Sequence, residues 1–362
     1  MQKKTRRTAA VAFLVAACAL VSGCSTLSQD SDVEPVSATS FMLDTVITIT
    51  LYDGQSQDTL DGALDVCSKY ENMLSRTVRG SDIWNINHAN GDPTVVDSDT
   101  ADLINTAIKY SKLSCGSFDI SIGAVSGLWN FKGDDPQVPD AGRIAEAVTH
   151  VDYRKIKVVG NTVTLEDPDM RLDLSGIAKG YIADRIVDYL TSKGVTNAIV
   201  NLGGNVVAMG SKGGSGWTIG LQDPEKQRNS PIAAVRIKNK SVVTSGIYER
   251  CFTASDGTFY HHELDPKTGY PTQNSLASVT IISDKSVDGD ALSTCCFVLG
   301  LERGMKLVES LDGIEAVFID TEENTYLSSG IGGENGIPYV TTDEASATKS
   351  SPEATPESSP VN

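Results

Sequence analysis

Asp290 and Thr294 stand four residues apart in Asp288-Gly289-Asp290-Ala291-Leu292-Ser293-Thr294, where an apolar run continuing to Leu299 begins. On a helix this spacing stacks a carboxylate and a hydroxyl one turn apart on the same face. Hard oxygen ligands suit Mg²⁺, which is commonly held by two protein groups together with phosphate oxygens and water. Taken alone, the pair also fits an Asp cap and a threonine bonded back to its own helix. A second pattern, Leu172-Asp173-Leu174-Ser175-Gly176-Ile177-Ala178-Lys179-Gly180-Tyr181, sets an acid and a lysine around a glycine at the mouth of a helix. Free backbone groups there can receive a phosphate, and Lys179 can add positive charge. The plainer alternative makes Asp173 a cap and Lys179 a solvent-facing charge.

Three further stretches carry chemistry. Asn201-Leu202-Gly203-Gly204-Asn205 leaves a strand through two glycines, which permits close backbone approach to a ligand or a tight turn. Thr244-Ser245-Gly246 precedes His261-His262-Glu263-Leu264-Asp265-Pro266-Lys267-Thr268-Gly269-Tyr270-Pro271, in which Asp-Pro-Lys-Thr-Gly fits a tight turn that pins the histidines beside it. Adjacent histidines on an extended segment point to opposite faces, so one of the two enters a given site. Gly116-Ser117-Phe118-Asp119-Ile120-Ser121, followed by Leu128-Trp129-Asn130-Phe131, is a polar turn leading into an aromatic pair that fits core packing as well as a cofactor stack. No Walker motif is present, which argues against an ordinary nucleotide-triphosphate site.

The elements that must position these groups read as a mixed body. Val46–Tyr52 alternates with Ile47, Ile49 and Leu51 on one face, as a half-buried strand does. Leu60, Ala63, Leu64, Cys67, Tyr70 and Leu74 have helical spacing, with Asp58 placed to cap the start. A second helix follows Ser98, and a third spans Gly176–Lys193 with Gly194 as its C-terminal cap. Ala198–Leu202, Trp217–Leu221, Ala233–Ile237, Ala277–Ile282 and Ala316–Ile319 read as strands. Helices and strands do not alternate strictly, so the expected class is α+β, with a mixed, largely antiparallel sheet and packed helices.

The two ends have different compositions. Lys3, Lys4, Arg6 and Arg7 precede an apolar run from Ala9 to Val21, too short to span a bilayer and suited to a signal peptide. Residues 24–40 are rich in Ser, Thr, Asp and Pro and read as a flexible tether. The expected organisation is therefore a signal at 1–23, a tether at 24–40, a folded domain at 41–340 and a disordered Ser/Thr/Glu/Pro tail at 341–362. The formal charge is −17, and removing four basic residues with the signal gives −17 − 4 = −21, which disfavours a nucleic-acid partner. Cys67, Cys115, Cys251, Cys295 and Cys296 have no regular spacing, against a disulfide framework or a zinc site.

Leu20-Val21-Ser22-Gly23-Cys24 resembles the lipobox of bacterial lipoproteins, implying lipidation of Cys24 and anchorage on the extracytoplasmic face of the membrane. From Phe41 to Gly330 the chain resembles the ApbE family of FAD:protein FMN transferases. The resemblance rests on Asp-Leu-Ser-Gly-Ile-Ala-Lys-Gly-Tyr from Asp173, Asn-Leu-Gly-Gly-Asn from Asn201, His-x-x-Asp-Pro-x-Thr-Gly-x-Pro from His262 and Asp-Ala-x-x-Thr from Asp290. It implies that Mg²⁺ is bound by Asp290, Thr294 and the Gly176 carbonyl. It also implies that FAD is contacted by Ser117, Phe118, Asp119, Asp173, Lys179 and Leu264, and that FMN passes to a Ser or Thr of an acceptor protein as AMP leaves. His262 would assist the acceptor hydroxyl. The family's Met-Gly-Thr entry motif is here Met42-Leu43-Asp44-Thr45, carrying over Met42, and Thr77 stands where a tyrosine is expected near Ser75. A hydrolase giving FMN and AMP would use the same metal site, whereas a non-catalytic surface flavin carrier would need neither metal nor base.

Overall fold

Alternation in Thr45–Leu51 buries Ile47, Ile49 and Leu51 completely and turns the intervening residues toward the surface, as period-two patterning requires. The computed structural model describes residues 34–342 apart from 132, 134 and 227–229. The expected signal peptide, Cys24 and residues 343–362 lie outside the described residues.

The central sheet has eight strands, β1 (Val36–Met42), β2 (Thr45–Leu51), β3 (Ala198–Leu202), β4 (Asn205–Met209), β5 (Lys240–Gly246), β6 (Leu276–Ser283), β7 (Glu315–Asp320) and β8 (Thr325–Leu327). Their spatial order follows their chain order, and every neighbouring pair is antiparallel. Helices and further strands are inserted between consecutive strands of this meander. The expected α+β class with an antiparallel sheet is the observed one.

Four helices matter for the site: α1 (Gln57–Leu74), α2 (Ser98–Leu113), α3 (Ala178–Ser192) and α4 (Ser286–Leu299). Helix α4 packs on β5 and β6, burying Leu292, Cys296 and Phe297 against Val279 and Ile281. The opposite face, carrying Val242 and Ile282, is covered by Trp217, Val235 and Ile237 of a smaller three-stranded sheet. Strand β6 is therefore buried on both faces along its whole length, which explains why its apolar residues Leu276, Ala277, Val279, Ile281 and Ile282 fall on both faces instead of alternating with exposed ones. Cys67, Cys115, Cys251, Cys295 and Cys296 are free thiols, as their spacing implied.

Three expectations need correction. Strand β1 starts at Val36 and pairs with β2 through Val36↔Leu51, so residues 36–40 belong to the sheet and not to the tether. Their Ser and Thr side chains face solvent or bond across the hairpin, as Thr39 and Thr48 do at 3.1 Å, which is why composition alone read as linker. Ser56, not Asp58, precedes α1; Asp58 lies in its first turn, where negative charge favours the helix N-terminus. Helix α3 begins at Ala178, leaving Gly176 in the turn before it, and Gly194 ends it with φ of 79°.

Candidate active site

Helices α3 and α4 approach so closely that only glycine fits at position 180. A Cβ there would lie 2.3 Å from the Ser286 carbonyl oxygen and 2.7 Å from the Asp290 Cβ. Helix α3 starts at Ala178, so Gly180 N is one of its first-turn donors without an intrahelical partner. It donates to Asp290 Oδ2 at 2.8 Å. Gly176 stands in the turn before the helix, and Thr294 Oγ1 is 3.5 Å from where a Gly176 Cβ would stand. Asp290 is 4% exposed, and among the described residues its other carboxylate oxygen meets only the Lys179 ammonium, at 3.6 Å. Ser245 Oγ lies 3.3 Å from Thr294 Oγ1.

These groups open into a cleft of about 670 Å³, within the range of small-molecule sites. Ser117, Phe118, Asp119, Asp173, Gly176, Lys179, His262, Leu264, Asp290 and Thr294 all line it. A buried carboxylate with one backbone donor and a distant ammonium is undercompensated, and a cation beside it would offset that cost. Together with the Thr294 hydroxyl and the Gly176 carbonyl in the turn before α3, the donor set is all oxygen and fits Mg²⁺. His150, Asp167 and Asp169 also cluster, but outside the cleft, where Lys155 stands 3.7 Å from Asp167 and His150 3.0 Å.

The two adjacent histidines part as expected. His261 is buried with its ring 5.8 Å from that of Phe297, while His262 faces the cleft. Burial, helped by the Arg250 and Lys179 cations, pushes the His262 imidazole down to about 3, so it is neutral in the physiological range. Its Nε2 stands 3.4 Å from Glu263. Burial pushes the Glu263 carboxyl up to about 7 against the pull of Lys179 and Ser245.

A profile of the ApbE family matches residues 43–318. The chain is 37% identical over 302 residues to a Klebsiella pneumoniae protein named FAD:protein FMN transferase, covering 83% of this chain and 93% of that protein. A Treponema pallidum protein of the same name is 35% identical over 320 residues, covering 83% and 88%. The chain belongs to the ApbE family. Among solved structures, the ApbE protein of Thermotoga maritima superposes with a TM-score of 0.75 at 31% identity, over 82% of this chain and 97% of that one. The flavin transferase ApbE of Vibrio cholerae gives 0.74 at 27% identity, with the same coverages.

Of the residues expected from the ApbE pattern, Met42 is the one that stands away from the cleft. It ends β1, half-buried against the main core, and the hairpin turn after it presents Leu43, Asp44 and Thr45 instead. Leu43 and Asp44 both have positive φ, 52° and 62°, and Leu43 N is held by Glu71 Oε1 at 2.7 Å. The two aspartates are already engaged by protein. Asp119 Oδ1 accepts from Ser121 N and Oγ, and its Oδ2 from Tyr153 N. Asp173 accepts from Ser175 N and Ser126 Oγ and faces Arg76 Nε at 3.2 Å. Burial alone would raise the Asp173 carboxyl, but Arg76 and these hydrogen bonds outweigh it and hold it below the usual range. Both acids hold turns in the cleft wall; Asp173 does so without capping α3, whose N-cap position is Ile177. Arg76 and Glu263 were not singled out from sequence; neither sits in a periodic pattern, and only the position of Glu263 inside the His-x-x-Asp-Pro motif pointed toward it.

Proposed function

We propose that this chain catalyses Mg²⁺-dependent transfer of FMN from FAD to a Ser or Thr hydroxyl of an acceptor protein, with release of AMP. The observation that carries the reading is the convergence in one cleft of the buried Asp290 carboxylate, the Thr294 hydroxyl and the Lys179 ammonium beside the turn at Gly176. The names borne by the Klebsiella and Treponema relatives supply the substrate and the acceptor class.

Phosphoryl chemistry depends on positioning and on charge neutralisation more than on covalent help. When bound, Mg²⁺ would supply that neutralisation on the pyrophosphate oxygens. Asp290, Thr294 and Gly176 hold the oxygen donors for it, and Gly180 N fixes the Asp290 carboxylate. Lys179 adds a cation on the same side. His262, neutral and facing the cleft, takes the proton of the acceptor hydroxyl as its oxygen forms the new bond to the FMN phosphorus. The bond from that phosphorus to the bridging oxygen breaks, and AMP leaves with the electron pair. Incubation with FAD, Mg²⁺ and a Ser- or Thr-containing acceptor should add one FMN to the acceptor, read by mass spectrometry. Free FMN and AMP with no acceptor labelling would replace the transferase by a hydrolase.

The same proposal places the enzyme at the extracytoplasmic face, anchored through a lipid on Cys24, on the strength of the basic, apolar and small-residue segments that precede it. Cys24→Ala should move the protein from the membrane to the soluble fraction and leave transfer activity intact. Retention of the variant in washed membranes would remove the lipoprotein assignment.

A further inference from the structure

The cations among the described residues lining the cleft are Arg76, Lys179 and Arg250. Lys179 is turned toward Asp290 at 3.6 Å, and Arg250 Nη2 lies 3.9 Å from Asp44. Arg76 differs in how it is held. Its Nε faces Asp173 Oδ2 at 3.2 Å, and that carboxylate is itself fixed by Ser126 and Ser175. Asp173 is buried, whereas 37% of the Arg76 side chain remains exposed. The two Nη groups make no hydrogen bond or ion pair among the described residues.

A guanidinium paired on its Nε side with a buried carboxylate, with its fork of Nη donors unspent and open to a cleft, is a ready receptor for oxygen acceptors. A counter-ion for Asp173 alone would need only a positive charge, which a lysine also provides. We propose that Arg76 is a substrate-binding residue whose Nη groups donate to an acceptor oxygen of FAD, while Asp173 serves to aim it. This rests on the FAD reading above. The acceptor oxygen comes either from the pyrophosphate, which ADP shares, or from a carbonyl of the isoalloxazine ring, which riboflavin shares.

Titration calorimetry with FAD in the presence of Mg²⁺ tests it on the wild type, Arg76→Lys and Arg76→Ala, with thermal midpoints measured alongside. Arg76→Lys keeps the charge beside Asp173, so its midpoint should stay near that of the wild type, yet FAD should bind about tenfold to a hundredfold more weakly, the range for losing a charge-assisted bond. An equal loss for ADP identifies the pyrophosphate oxygen; a loss for riboflavin with ADP unchanged identifies the ring carbonyl. If Arg76→Lys binds FAD as the wild type does, Arg76 is a counter-ion only and the proposal is overturned. Failure of the wild type itself to bind FAD would instead strike at the function assigned to the cleft.

Discussion

Asp290→Ala is expected to lower FMN transfer by about 10³-fold or more, because in the proposed mechanism it would remove the one charged ligand of Mg²⁺, whose stabilisation of phosphoryl charge is worth several kcal/mol. The variant also strips Gly180 N of its acceptor, and an unsatisfied buried donor costs about 1–3 kcal/mol of stability. Asp290→Asn separates the two effects, since the amide oxygen can still accept from Gly180 N while the negative charge is gone. Its thermal midpoint should lie near that of the wild type, and its transfer rate should fall nearly as far as that of the alanine variant. Thr294→Ala should cost less, because a water can take the place of a hydroxyl ligand. Transfer would be followed by mass spectrometry of an acceptor peptide, with and without a chelator. Indifference to both chelation and Asp290→Asn would take the metal out of the mechanism and reduce α4 to a core helix.

His262→Ala should lower transfer by about 10²–10⁴-fold, the usual contribution of a positioned general base, with FAD affinity little changed. The pH dependence gives a second, independent reading. An ordinary imidazole loses its proton near pH 6.5, and a base with that value would give a rate rising through that range. Burial beside Arg250 and Lys179 holds His262 near 3, so the base form is present throughout the neutral range and protonation becomes limiting only in strong acid. The wild-type rate should therefore show no inflection that His262→Ala removes between about pH 5 and pH 8. An inflection near 6.5 that vanishes in the variant would mean that the imidazole is far more solvated during turnover than its burial implies. A transfer rate untouched by His262→Ala would assign proton removal elsewhere, with Glu263 the nearest alternative at 3.4 Å.

How far the sequence reached depended on the distance over which each cause acts. The buried alternation of β2, the run of β6 and the helical spacing leading to Leu74 are local patterns, read correctly because burial on one face dictates period 2 or 3.6. Strand β1 was misread because its polar residues satisfy one another across a hairpin, and composition cannot distinguish that from a solvated linker. Met42 ends β1 against the core, and the turn of two positive-φ residues after it brings Leu43, Asp44 and Thr45 to the cleft wall, which short spacing does not state.

The placing of Asp290 and Thr294 on one helix face follows from their spacing alone, and the glycine at 180 is written in the chain. What the sequence could not state is that Gly180 meets Asp290 across 110 residues, the carboxylate taking up a first-turn donor that helix α3 leaves without a partner. Burial and charge environment are likewise properties of the packed molecule. Arg76 faces a carboxylate only because the fold buries Asp173 opposite it, and His262 is held neutral only because the fold partly buries it beside two cations. Residue types and short spacings are encoded locally, whereas partners, desolvation and the direction of free donors arise only when distant segments are brought within a few ångströms.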